Sequence, residues 1–379
     1  MQRVLILGGG FGGLAAAHTL RASLPTSDEI VLVERRESYS LGLRKTWALT
    51  GLSPLSEGRR SYTHLAERGI RWVQSDVTAI RPGDRSANVD GAWMEADALV
   101  VALGAQLHPA AIPGLAEHAL NIYDTESLDL ASGAVARFAG GRVGVGIFGA
   151  PYACPPAPFE IALLLDDLFH SRNVKAEIEL FSPLPMSLPV LGQAGCSVIE
   201  SRLEARGIRF LPNHKAVSVQ DGRVTFATGT SEYDLILAIP PHRLPPVIAE
   251  SGLAGEAPWV RPDPVSLETS FPGVFAIGDC TEVPLANGMS LPKAGVFAEA
   301  EAKVVAEWIA ARREGRPPQA KFSGDGFCFL EVGGGMAQLV QGEFLAAPAP
   351  RVRLTDPSPE HLEAKREFER ERLATWFGE

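Results

Sequence analysis

The stretch GIFGAPYACPPAPFE, residues 146 to 160, sets a thiol, Cys154, just ahead of a segment with helical spacing and an acid, Glu160, six residues further on. A helix N-terminus favours thiolate over thiol, so a cysteine there is a candidate nucleophile or redox group. Glu160 could exchange protons if burial raised its pKa, or simply complement the start of the helix; the residues leave both open. Pro155 and Pro156 cannot donate backbone hydrogen bonds and favour an extended approach to the helix. The remaining cysteines, Cys196, Cys280 and Cys328, are widely separated. With no CxxC, neither a zinc site nor a thioredoxin-type pair is suggested, and no metal is expected. Cys196 and Cys280 read as structural. His118 and His214 are isolated and read the same way.

Cys154 stands in a turn that an earlier part of the chain carries intact. RVLIL is an apolar run of strand length, followed by GGGFGG and then LAAAHTLRASL at helical spacing. Gly8, Gly10 and Gly13 fit G-x-G-x-x-G, and the next strand, EIVLVE, ends in Glu34, where an acid can meet a ribose hydroxyl. Oriented N–H groups at the helix start suit a pyrophosphate. Gly12, Arg35, and Ala102 and Gly104 at the end of DALVVALGA complete the candidate cofactor contacts in this unit.

The same plan recurs in RVGVGIF, PFEIALLLDDLF, AEIELFS and DLILAIPP, which predicts an α/β chain with two Rossmann-like three-layer domains and a C-terminal α+β segment. Expected boundaries are 1–110 for the first domain, 111–242 for the second, 243–315 for a return to the first, and 316–379 for the tail. The second turn departs from the first. Pro151 and Cys154 occupy glycine positions, and Ser182 replaces the acid, so NAD(P)H binding there is disfavoured. The tail ends in SPEHLEAKREFERERLATWF, which reads as a solvated mixed-charge helix capped by Ser358.

The 379 residues carry a net charge of −10 without a block of like charges, which favours no nucleic acid and no polybasic anchor. The start leaves no room for a signal peptide, and no run of 18 apolar residues occurs, so a cytoplasmic location is expected. Peripheral contact at the inner membrane face stays open, with Trp376 and Phe377 as the residues to make it.

With GGGFGG, Glu34, VFAIGDC and YACPPAPFE together, the chain resembles the flavin disulfide-reductase superfamily, and within it the sulfide:quinone oxidoreductase and flavocytochrome c sulfide dehydrogenase branch. The resemblance runs nearly end to end and implies a glutathione-reductase-like FAD/NAD(P) fold. VFAIGDC is similar to the second FAD motif, with Gly278 and with Asp279 meeting the ribityl chain. Lys293, ahead of AGVFAEAEAKVVAEWI, would offset charge on reduced flavin, or be an ordinary surface lysine at a helix start. ACPPAPFE is similar to the branch's Cys-x-(Gly/Pro)-Ala-x-Glu segment, carrying over Cys154 as one redox cysteine and Glu160 as its acid. DGFCFLEVGGG supplies Cys328 as the second, and KREFE makes Lys365 a candidate near flavin or quinone. The implied activity is two-electron oxidation of sulfide, or another small sulfur compound, through a Cys154/Cys328 pair. Cys154 would carry the persulfide, Cys328 would be the flavin-side thiol, and a quinone or another electron acceptor would take the electrons.

Two departures shape that expectation. NIYDTES holds Tyr123 where some relatives carry a third cysteine, and ESYSLGLRKTW has none for covalent flavin linkage, so FAD should be noncovalent. Two competing functions remain: an NADH-oxidising flavoenzyme such as a type II NADH dehydrogenase or ferredoxin reductase, which requires an intact second turn, and a flavin-binding sensor or electron-transfer subunit for a partner such as a cytochrome. Phe322, Phe327, Phe329 and Phe344 could line a quinone slot or fill a core. The oligomeric state is not legible.

Overall fold

The computed structural model describes residues 1–378. Val4 to Leu7 are all buried, and an apolar run without polar alternation suits a sheet covered on both faces. β1 (Arg3–Leu7) lies at the centre of a five-stranded parallel sheet, between β2 (Glu29–Val33) and β3 (Ala98–Val101). The edge strands are Arg71–Val73 and, from much later in the chain, Val274–Ala276. Helix α1 (Phe11–Ser23) covers this sheet with Leu14, Ala15, Ala16, Ala17 and Leu20. The short helix α2 (Arg44–Thr50) follows β2.

A second five-stranded parallel sheet has β4 (Gly141–Ile147) at its centre, flanked by Ala176–Phe181 and by β5 (Leu235–Ile239). Helix α3 (Ala157–Ser171) leaves the turn after β4 and buries Phe159, Ile161, Ala162, Leu163 and Leu165. Thus two parallel sheets, each with a strand–turn–helix unit at its centre, set the Rossmann-like architecture. Helix α4 (Gly295–Glu314) packs back on α1, where a Cβ on Gly12 would stand 3.2 Å from Ala298 Cβ.

The tail adds an antiparallel sheet of β6 (Asp325–Gly333), β7 (Met336–Glu343) and Arg351–Leu354, and then helix α5 (Pro359–Phe377), capped by Ser358 accepting the His361 N–H. α5 is not the solvated helix its charges suggest. Leu362, Lys365, Phe368, Glu369, Leu373, Trp376 and Phe377 form a buried stripe whose turns recur every three or four residues. Trp376 packs edge-on against Phe11 at 4.8 Å and Tyr39 at 5.6 Å, and Phe377 stacks on Tyr39. Both aromatic rings face inward, so they offer nothing to a membrane interface. Among the described residues, no helix is long and apolar enough to cross a membrane.

Candidate active site

The turn between β1 and α1 is shaped by sterics. Gly8 has φ +101°, and a Cβ there would meet the Ala102 carbonyl oxygen at 2.4 Å; one on Gly13 would meet the Gly8 oxygen at 1.8 Å. Gly10 differs, because a Cβ would find nothing within 4 Å. Gly10 caps α1 without any side-chain bond, and no acid stands in the first turn, so free helix N–H groups face open space. That cradle fits a pyrophosphate. Glu34, nearly buried at the end of β2, accepts from the Gly9 N–H at 2.9 Å and from Arg36 Nε at 2.8 Å. Burial opposes its ionisation, but the Arg36 guanidinium outweighs burial and holds the carboxyl below its usual range. Arg35 points instead to Asp76 at the surface, 3.6 Å away. Gly104, with φ +67°, follows β3 beyond Ala102.

Across the cradle, Gly278, Asp279, Lys293, Phe297 and Glu301 line a narrow cleft. Lys293 is no surface residue. It is 6% exposed, its Nζ donates to the Asp279 and Thr281 carbonyl oxygens at 2.7 and 3.1 Å, and it lies 3.5 Å from the Trp259 ring centroid. Glu301 accepts the Gly278 N–H at 2.6 Å, and burial pushes its carboxyl up to about 8.

The Cys154 loop is tied to this cleft through its backbone, since Cys154 N–H donates to the Lys293 carbonyl at 2.7 Å. The extended approach expected from the two prolines is corrected: Cys154 is left-handed at φ +52°, and Pro156 is helical at φ −70°, ψ −24°. This tight bend brings the Ala157 N–H onto the Cys154 carbonyl at 3.0 Å, three residues along. Cys154 is reached by solvent while protein surrounds it on most sides, the setting of a cleft wall. Cys328 lies in β6 opposite Val340. The structure brings these two residues, 154 and 328, into hydrogen-bonding contact as free thiols. That hydrogen bond does most to hold Cys154 below the usual thiol range, against burial and the Glu160 charge; Lys365 and the Ala157 N–H help. Cys328 is pushed well up.

Glu160 faces the pair and is itself buried, which raises its carboxyl. Lys365 Nζ reaches it at 2.7 Å and reaches Glu331 at the same distance. Sequence reasoning missed Glu331, Trp47, whose indole N–H donates to Glu331, and Lys45, which donates to the Tyr123 carbonyl at 2.5 Å. A charge inside the strand FCFLEVG was the available signal for Glu331. Tyr123 donates its hydroxyl to the Cys154 carbonyl at 3.4 Å, and His242 Nε2 accepts the Ala153 N–H at 3.4 Å.

Other residues stand apart. Cys196 and Cys280 are wholly buried, donating to the Leu188 and Ile277 carbonyls. His118 lies by Asp221 and His214 by the Pro212 carbonyl, away from the sulfurs. Phe327 and Phe329 pack edge-on against Phe368, while Phe322 and Phe344 are buried in the core. The second turn keeps the close-packed glycine, Gly149, whose Cβ would meet Pro241 Cα at 2.9 Å, but Pro151 and Cys154 stand at its other two glycine positions, and Ser182 is buried, accepting the Leu184 N–H.

Two Rossmann-like sheets and an open glycine cradle with a redox-capable thiol pair beyond it define a dinucleotide-binding oxidoreductase. The chain belongs to the pyridine nucleotide-disulphide oxidoreductase family, whose profile matches residues 2–315, and it is an FAD-dependent enzyme of that family. It is 24% identical to the mitochondrial sulfide:quinone oxidoreductase of Mus musculus over 365 residues, covering 91% of this chain and 79% of the relative. An NADH dehydrogenase-like protein of Mycobacterium tuberculosis matches at 27% over only 60% of each chain. The crystal structure of the sulfide:quinone oxidoreductase from Aquifex aeolicus superposes with a TM-score of 0.89 at 20% identity, covering all of this chain and 92% of that one.

Proposed function

We propose that the protein is an FAD-dependent sulfide oxidoreductase that takes two electrons from sulfide through Cys154 and Cys328 and passes them to an acceptor, most simply a quinone. The observation that carries this reading is the contact between the two thiols beside the flavin-motif segment. Gly8, Gly10, Gly12 and Gly13 would hold the pyrophosphate, Glu34 the ribose, and Gly278 and Asp279 the ribityl chain. FAD, when bound, supplies a two-electron acceptor.

The chain's own residues supply the sulfur chemistry. With the pair oxidised, hydrosulfide attacks the Cys154 sulfur, the Cys154–Cys328 bond breaks, and a Cys154 persulfide and a Cys328 thiolate result. Lys365 and the Ala157 N–H favour negative charge at Cys154, which also makes it the better leaving group. Attack at Cys328 is therefore the competing regiochemistry, and mass mapping of the trapped persulfide decides between them. Glu160 can give or take the proton that follows this charge. Pro151, Cys154 and Ser182 in the second turn speak against NADH as the donor.

An anaerobic titration of the flavin-loaded protein tests the reading. Sulfide should bleach the flavin absorbance and NADH should not. Bleaching by NADH alone would sink the proposal in favour of an NADH-oxidising flavoenzyme, and bleaching by neither would point to a sensor or electron-transfer subunit.

A further inference from the structure

Beneath the two sulfurs lies a buried triad whose members come from three distant parts of the chain. Lys365 Nζ donates to Glu160 Oε1 and Glu331 Oε1, each at 2.7 Å, and no side chain of the three exceeds 4% exposure. The two acids are not held alike. Glu331 Oε1 also accepts the Trp47 indole N–H, and the Lys365 ammonium and the Arg44 guanidinium both lie over the Trp47 ring. Glu160 has the Lys365 ammonium as its side-chain donor and the Glu331 backbone N–H at 2.9 Å on its other oxygen.

One ammonium between two carboxylates leaves a net negative charge; a Cys154 thiolate adds a second, which the Lys45 ammonium faces from the other side. The excess charge of the buried carboxylates therefore remains, and with a thiolate beside it a carboxyl pKa rises until a proton is taken up. The other titratable or charged groups facing the cluster are Cys328, Tyr123, Tyr152, Lys45, and the Arg44–Glu369 pair with Glu57 at its outer edge. Arg44 and Glu369 compensate one another, so they do not settle the imbalance. Burial raises the Glu160 carboxyl, and the two carboxylates more than reverse the effect of burial on Lys365, keeping it an ammonium.

We propose that Glu331 is a positioning residue: it fixes Lys365 as a permanent ion pair and so makes Glu160 the group that gains or loses a proton as the Cys154 sulfur gains or loses charge. When the sulfur becomes a thiolate, one proton moves from solvent to Glu160; when that charge is removed, the proton returns. The inference rests on Cys154 being the reacting thiol.

The test follows iodoacetamide labelling of the Cys154 peptide against pH in the full-length, flavin-loaded, reduced protein. Wild type should show two steps about one pH unit or more apart, because thiol and Glu160 titrate as a pair. Glu160→Gln should give a single step. Glu331→Gln should do the same, since Lys365 then belongs to Glu160 alone and keeps it ionised. A wild-type, two-step profile in Glu331→Gln would overturn the proposal. Should that variant lose flavin, the wild type still decides: its infrared difference spectrum on reduction of the pair should gain a protonated-carboxyl band, and no such band means no such proton. Loss of sulfide bleaching with these signatures intact would remove only the proposed activity, whereas intact bleaching with flat signatures would remove only this inference.

Discussion

A sulfur that accepts a hydrogen bond from its partner and lies near a helix-start N–H reacts ahead of that partner. In the reduced protein at neutral pH, iodoacetamide should label Cys154 faster than Cys328 by about tenfold or more, and faster labelling of Cys328 would show that the bond runs the other way. Cys154→Ser and Cys328→Ser should each keep flavin yet slow sulfide-dependent bleaching by about 10³-fold or more. Retained bleaching in either would favour the sensor reading. Glu301 carries a separate prediction. Its folded pKa of about 8 lies above its ordinary 4.5, so the folded state binds a proton that the unfolded chain has released, and stability falls as pH rises between those values. Thermal melts of Glu301→Gln should lose that decline and exceed wild type by a few degrees in mildly alkaline buffer. Residue types made the thiols and Glu160 visible in the sequence. Lys365 was reached only through the KREFE resemblance and Glu331 was missed, because each looks like an ordinary charge until its partner, brought from another element, is seen.

α5 shows the same limit one level up. Its hydrophobic residues are legible, but two of the buried positions are Lys365 and Glu369, which break the apolar stripe and make the helix read as polar all round. Tertiary ion pairs, with Glu160 and Glu331 for one and Arg44 for the other, replace the apolar contacts that periodicity looks for. The strand–turn–helix units were legible because glycine spacing and uniform apolar runs are local signals. The bend at Cys154 was not, since prolines limit their own φ but say little about a left-handed residue just before them. Trp376 and Phe368 both pack on Phe11, the first residue of α1. Trp376→Ala should therefore cost about 3–5 kcal/mol in denaturant unfolding and weaken flavin retention, because the cradle starts at that residue.

For the whole molecule, duplication of the nucleotide-binding plan gave the two-sheet α/β architecture, while the meeting of residues 154 and 328 depended on β6 lying along α3, which no spacing encodes. The pH response is likewise a property of the assembled chain. Burial lowers His18 and His242 to about 4 from 6.5, so the unfolded chain binds more protons between those values and stability rises with pH across that window. Glu301, Glu160 and Asp279, all raised by burial, work against this rise, so the histidine contribution is read by difference. Thermal melts of His18→Gln should lose part of the rise seen in wild type between about pH 4 and 6.5, and an unchanged slope would contradict the burial of His18.

The distribution of the triad along the chain also sets an order of events at the ribosome. Cys154 is made first and Cys328 next, and Lys365 emerges after both. A nascent chain thus displays two cysteines before the ammonium that adjusts their charge exists, and its thiols behave as ordinary ones. Only when α5 has been synthesised and docked against Glu160 and Glu331 is the charge environment of the sulfur pair complete, so its full folded chemistry waits until translation has passed the point at which the fold can close.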